Sequence, residues 1–152
     1  MENTALLLID LQNDYFESFE NAKWKLKNTE EAASNALKLL NKFREKNMKI
    51  IHVRHEFNME NPPFFAPNSQ GAKIHDSVTP KENEAQVLKH DVNSFKNTNL
   101  KEILDDSNIT NVIIVGAMSY MCVTAVTRAA SDFGYNCFVE HDACATSDIE
   151  FN

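Results

Sequence analysis

Val112-Ile113-Ile114-Val115-Gly116 is a run of β-branched residues closed by a glycine, and NCFVE at 136–140 is a second extended stretch. Between them, 122–133 carries a helical pattern that ends at Gly134, the residue type that suits the left-handed position after a helix. Strand, helix and strand of these lengths make a βαβ unit, whose strands are parallel and whose crossover is right-handed. Working outward, Ala5-Leu6-Leu7-Leu8-Ile9 is apolar without alternation and stops at Asp10, as a strand buried on both faces does. Asn28 opens a helix, with Glu31 in the capping-box relation and Ala32, Ala36, Leu39, Leu40 and Phe43 as its apolar stripe. A further strand is predicted over 49–54, a short one at Val87-Leu88-Lys89, and a helix over 98–106. Strands alternating with helices throughout make this an α/β chain, with a parallel sheet covered on both faces.

The chain of 152 residues is read as one domain, 1–152. Its formal charge of -7 argues against nucleic acid and anionic membrane as partners. The run Ala5 to Ile9 is far too short to span a bilayer and no basic stretch precedes it, so a cytoplasmic protein is expected. Cys122, Cys137 and Cys144 form no CxxC pair, which argues against a disulfide framework. The segment 55–86, with Pro62, Pro63, Pro67, Gly71 and Pro80, is a long irregular connection, and the paired Phe64 and Phe65 mark it as functional rather than disordered.

In open α/β sheets, sites form beyond the carboxyl ends of the strands. Three strand ends here carry reactive groups: Asp10, Lys89 and Cys122. Taken singly, a strand-end Asp is a turn residue, a Lys a solvated charge and a Cys an inert core thiol. On one edge of one sheet they supply a base, a cation and a nucleophile. Cys122 at a helix start, near the Lys89 ammonium, is expected to have a lowered pKa, with Asp10 taking its proton. The same turn offers backbone N–H groups to an oxyanion, completing the parts needed for acyl transfer. Cys137 and Cys144 are assigned structural places, in a buried strand and a polar tail.

The stretches Leu8-Ile9-Asp10-Leu11-Gln12-Asn13-Asp14, Lys89-His90 followed by Asn93-Ser94-Phe95, GAMSYMCV at 116–123, and Asp142-Ala143-Cys144-Ala145 resemble the isochorismatase-like cysteine hydrolases. That family includes nicotinamidases, N-carbamoylsarcosine amidases and isochorismatases. The resemblance implies a three-layer Rossmann-like fold with a mostly parallel central sheet and an Asp10–Lys89–Cys122 triad. It also implies a non-proline cis peptide between Ala117 and Met118, with the N–H groups of Met118 and Cys122 as the oxyanion hole. The implied activity is hydrolysis of a C–N bond in a small amide or carbamoyl substrate through a thioester, without cofactor, in a homo-oligomer. Tyr15, Phe16, Phe64, Phe65 and Tyr120 are expected to wall the substrate pocket, although Phe64 and Phe65 fit equally well as packing for the loop.

Two departures stand out. Metal-binding nicotinamidases carry an Asp-x-His pair after the second strand, where this chain reads His52-Val53-Arg54-His55-Glu56-Phe57. His52 and His55 are predicted to point to opposite strand faces, His75, His90 and His141 show no ligand spacing, and no metal is expected. Relatives also continue past a stretch like Asp148-Ile149-Glu150-Phe151-Asn152 with a further helix and strand, so a C-terminally short domain is expected. Competing functions are vinyl-ether hydrolysis, against which Cys122 argues, a non-catalytic binding or assembly role, and a redox-sensing thiol, against which the lack of a nearby resolving cysteine argues.

Overall fold

The computed structural model describes residues 2–150; Phe151 and Asn152, at the end of the stretch quoted above, lie outside them. The elements are β1 (Thr4–Ile9), α1 (Thr29–Glu45), β2 (Lys49–His55), β3 (Ala85–Lys89), α2 (Leu100–Asp106), β4 (Asn111–Ala117), α3 (Thr124–Asp132) and β5 (Asn136–Ala145). The five strands form one sheet in the order β3-β2-β1-β4-β5, and every pair is parallel. Strand order reverses between β1 and β4, so the crevice at their carboxyl ends is the switch point of the sheet.

The unbroken apolar run of β1 follows from having helices on both sides. Leu6 and Leu8 join Ala32, Ala36, Leu40 and Phe43 of α1 in one core. Ala5, Leu7 and Ile9 face the other way, toward Leu100 and Leu104 of α2 and Val126 and Ala130 of α3. Burial of this kind stabilises each strand by roughly 25 cal/mol per Å² of apolar surface removed from water. Among the described residues no helix is long and apolar enough to cross a membrane.

Local details differ from the sequence expectations. Asn28 precedes α1 but makes no capping bond; its side-chain amide donates to the Cys144 carbonyl (3.5 Å), so the capping box with Glu31 does not form. α2 begins at Leu100, with the Thr98 hydroxyl accepting from the Leu100 N–H. The helix expected from Cys122 is instead a π-helical turn, Ser119–Val123, that passes into α3, and Gly134 (φ +94°) ends it as expected. β5 runs to Ala145, past a break in register opposite Ile114 and Gly116. Cys144 is therefore buried in a strand rather than lying in a polar tail, while Cys137 is only half-buried because β5 is an edge strand exposing Phe138 and Val139.

Candidate active site

Asp10 leaves β1 with φ +51°, a left-handed conformation that aspartate tolerates better than most residues and that marks a position held by its surroundings. Beside it, β4 comes so close to β1 that only glycine fits: a Cβ on Gly116 (φ +126°) would stand 2.0 Å from the Ile9 carbonyl oxygen. The Ala117–Met118 peptide that follows is cis. The close approach of β4 to β1 brings the turn bearing Cys122 next to Asp10.

Lys89 ends β3, two strands from β1, and its side chain crosses the end of β2. Its Nζ lies 3.0 Å from Asp10 Oδ2, 3.3 Å from Cys122 Sγ, 2.8 Å from His55 Nδ1 and 3.1 Å from the Asp91 carbonyl oxygen. Asp10 and Lys89 are fully enclosed, and Cys122 is 6% exposed. The pair with Lys89 is too oblique to count as a hydrogen bond, so both Asp10 carboxylate oxygens are buried without a hydrogen-bond partner. The three residues singled out from the sequence are thus together.

Their ionisation differs from the expectation. Burial and the Asp10 carboxylate hold the Cys122 proton on, against the pull of Lys89, and push the thiol pKa up to about 12. A lowered thiol pKa was predicted from the helix start and the lysine. The structure reverses the sign because desolvation and a neighbouring anion outweigh one cation. Burial also works against the Lys89 ammonium, but Asp10 and Cys122 prevail and its pKa stands above the ordinary lysine value. The thiol therefore rests neutral beside the Lys89 ammonium.

Gln12 and Asp14, in the turn after β1, tie the long 56–84 segment to the strand ends. The Gln12 side chain accepts from the His55 N–H and donates to the carbonyls of His55 and Ala72, each at 2.7 Å. The buried Asp14 carboxylate accepts from the N–H of Phe65 (2.7 Å) and of Lys23 (3.1 Å). Gly71 packs against it, where a Cβ would fall 2.2 Å from Asp14 Oδ1.

The Tyr15 ring rests on Phe64 and Phe65, with centroids 5.5 and 4.6 Å away. Burial and the Asp10 carboxylate raise its pKa beyond the ordinary phenol value, so its hydroxyl stays protonated. Phe65 faces His55, and the half-exposed Tyr120 bonds Ser147 (3.1 Å). Phe64 sits one row back, among Tyr15, Trp24 and Phe57. Phe16 is not gathered with the others: its ring is enclosed and stacked flat on His75, 3.7 Å away, as packing for the loop.

Asp10, His55 and Cys122 place three donor atoms within 4.8 Å of one another, a spacing that suits a metal ion. Lys89 Nζ already lies within hydrogen-bonding distance of all three, so a metal there would have to displace a buried ammonium. His52 bonds Glu84 (2.8 Å), His75 bonds Ser77 (2.9 Å), His90 bonds the Glu56 carbonyl (2.7 Å) and His141 pairs with Asp142 (2.9 Å).

Compared with known proteins, residues 4–152 match the isochorismatase domain model. The chain belongs to the isochorismatase family. This isochorismatase-family hydrolase is 45% identical over 147 residues to the isochorismatase family protein YddQ of Bacillus subtilis, covering 97% of this chain and 80% of that one. It is 38% identical to the secreted isochorismatase effector Isc1 of Verticillium dahliae, covering 97% and 75%. A crystal structure of an isochorismatase hydrolase from Oleispira antarctica superposes with a TM-score of 0.95 at 58% identity, covering 99% and 80%. A more distant relative is a streptothricin hydrolase of Streptomyces noursei, 29% identical, covering 95% of this chain and 55% of that one.

Several residues of this isochorismatase-family site carry no signal as isolated residues in the sequence. Gln12 and Asp14 lie inside a quoted motif, yet their work as loop ties depends on segments far away in the chain. For His55, nothing in its spacing points to Lys89 as the partner. The parallel register that pairs His55 with Lys89 is the one clue, and it requires the strand alignment.

Proposed function

We propose that this hydrolase cleaves the C–N bond of a small, uncharged amide or carbamoyl compound through a thioester on Cys122. The observation that carries this reading is the enclosed contact of Lys89 Nζ with both Asp10 and Cys122. Because the thiol is neutral at rest, its proton passes to Asp10 as sulfur attacks the carbonyl carbon. The oxyanion is held by the N–H groups of Met118 and Cys122. As the C–N bond breaks, Asp10 hands that proton to the departing nitrogen, which leaves as ammonia or an amine. Asp10 then takes a proton from water; the hydroxide adds to the thioester; the C–S bond breaks and the sulfur regains its proton from Asp10. Lys89 keeps its charge throughout and balances the carboxylate.

Lys89 already makes three hydrogen bonds and an ion pair with Asp10, which favours an uncharged substrate over isochorismate, a dicarboxylate that needs cations of its own. The streptothricin hydrolase relative supports hydrolysis as the reaction class. The test is a panel of small amides and carbamoyl compounds scored for ammonia or amine release, with isochorismate alongside. Release by the wild-type chain, lost in Cys122→Ala with the melting temperature kept, is the expected result. Turnover surviving in Cys122→Ala, or isochorismate consumed while no amide is, would overturn the proposal.

A further inference from the structure

We infer that His55 is a positioning residue of this site: its Nδ1 carries the Lys89 ammonium across the end of β2 to its place between Asp10 and Cys122. The inference rests on the reading given under Proposed function.

The argument begins with the sheet. β2 lies between β3, which bears Lys89, and β1, which leads to Asp10, so the lysine must span more than one strand spacing of about 4.8 Å. In the parallel register Lys89 pairs with His55, and the two side chains meet at the end of β2. Residue 55 is therefore the one that Lys89 has to pass.

An ammonium has three protons, and here they meet His55 Nδ1, the Asp91 carbonyl and Cys122 Sγ, with the Asp10 carboxylate in ionic contact. The contact with His55 Nδ1, at 2.8 Å, is the shortest. Of the other three, Asp91 offers a fixed backbone carbonyl, while Asp10 and Cys122 are the groups that exchange a proton in the proposed reaction. An acceptor that binds the ammonium tightly without adding charge leaves Lys89 oriented and leaves Asp10 as the only anion in contact with it. A carboxylate in place of His55 would compete with Asp10 for the same cation.

His55 is built for that role. Burial and the charges of Lys89 and His90 lower its pKa to about 4, against the opposing pull of Asp10 and Asp91. A neutral ring whose Nδ1 accepts from Lys89 carries its proton on Nε2, which is buried with no partner. The ring packs against Phe57 (4.5 Å) and Phe65 (6.3 Å), and its backbone is gripped on both sides by the Gln12 amide. The orientation is fixed from four directions at the expense of one unsatisfied donor.

The test compares the wild-type chain with His55→Leu, which cannot accept, and His55→Gln, whose amide oxygen can. With a substrate from the amide panel, His55→Leu is expected to lower kcat at least tenfold with KM changed less than threefold. His55→Gln is expected to recover most of that loss. Alkylation of Cys122 by iodoacetamide at pH 9 needs no substrate. It should slow at least threefold in His55→Leu, because a displaced Lys89 no longer pulls the thiol pKa down, and should return in His55→Gln. Equal kcat and equal alkylation in wild type and His55→Leu, or a His55→Gln no better than a folded His55→Leu, would overturn the inference. A wild type that cleaves no amide, while alkylation still follows residue 55, overturns the functional proposal alone. If His55→Leu does not fold, the shorter His55→Ser replaces it: slow Ser with fast Gln supports the inference, and equal rates overturn it.

Discussion

Replacing Asp10 by Asn should make Cys122 easier to alkylate and the enzyme unable to turn over. After burial, the Asp10 carboxylate is the strongest influence keeping the thiol protonated. The carboxylate oxygen and Sγ lie within 4.8 Å of one another. Two unit charges at that separation interact by about 3.5 kcal/mol at an effective dielectric near 20, equivalent to ~2.5 pKa units. The thiol pKa should thus fall from about 12 to roughly 9–10 in Asp10→Asn, since Lys89 still pulls it down. At pH 8 the thiolate fraction rises ~300-fold, but a less basic thiolate is a weaker nucleophile, which leaves a net gain of ~20–30-fold in alkylation rate. The assay is iodoacetamide labelling followed by peptide mass spectrometry. Cys137 and Cys144 serve as references in the same digest, because Asp10 is not among the groups acting on them. Turnover of any amide substrate should fall by ~10²–10⁴, the usual worth of a general base. An unchanged or slower alkylation of Cys122, or an Asp10→Asn enzyme that still turns over, would refute this account of the site.

Other perturbations test the frame around it. Buried Glu84 loses stability to desolvation, yet the two bonds from Arg44, the Lys81 N–H and His52 together hold its pKa down at about 2. A lowered carboxylate pKa adds stability that is complete above the ordinary value and disappears as pH falls through the folded one. Glu84→Gln should therefore cost about 2–3 kcal/mol at pH 7 in urea unfolding, with the gap to wild type closing between roughly pH 4.5 and 2. A gap independent of pH would show that the charge of Glu84 is not what stabilises the fold. Gly71→Ala should force Asp14 off the N–H groups of Phe65 and Lys23 and cost about 2 kcal/mol or more, read as a lower melting temperature.

The strands could be read from the sequence because a strand with helices on both faces has no polar side, and β1 and β4 are each apolar up to their carboxyl ends. That same feature made Asp10, Lys89 and Cys122 visible, since each breaks an apolar run or follows one closely. β5 was read short because Glu140, His141 and Asp142 are exposed at the sheet edge, where no burial pattern constrains them. The protonation of Cys122 was misread because a sequence shows which charges lie near a thiol but not how dry its surroundings are. The link between His55 and Lys89 escaped because periodicity gives the face of a strand, not the path of a side chain across its neighbour. Asn28 has the right residue type for a cap, but the carbonyl of Cys144, far along the chain, takes its amide instead.

The two ties from the turn after β1 bear on how the molecule opens. Segment 56–84 has little regular structure, and on that ground alone its amides should exchange with solvent through small, frequent fluctuations. Yet the N–H of Phe65 is taken by buried Asp14 and the carbonyl of Ala72 by Gln12, both rooted at the end of the central strand. Neither bond can break without disturbing the strand end to which it is anchored. The Phe65 amide should therefore exchange with deuterium as slowly as those of β1, making the irregular segment part of the sheet's own cooperative unit rather than a loosely attached flap.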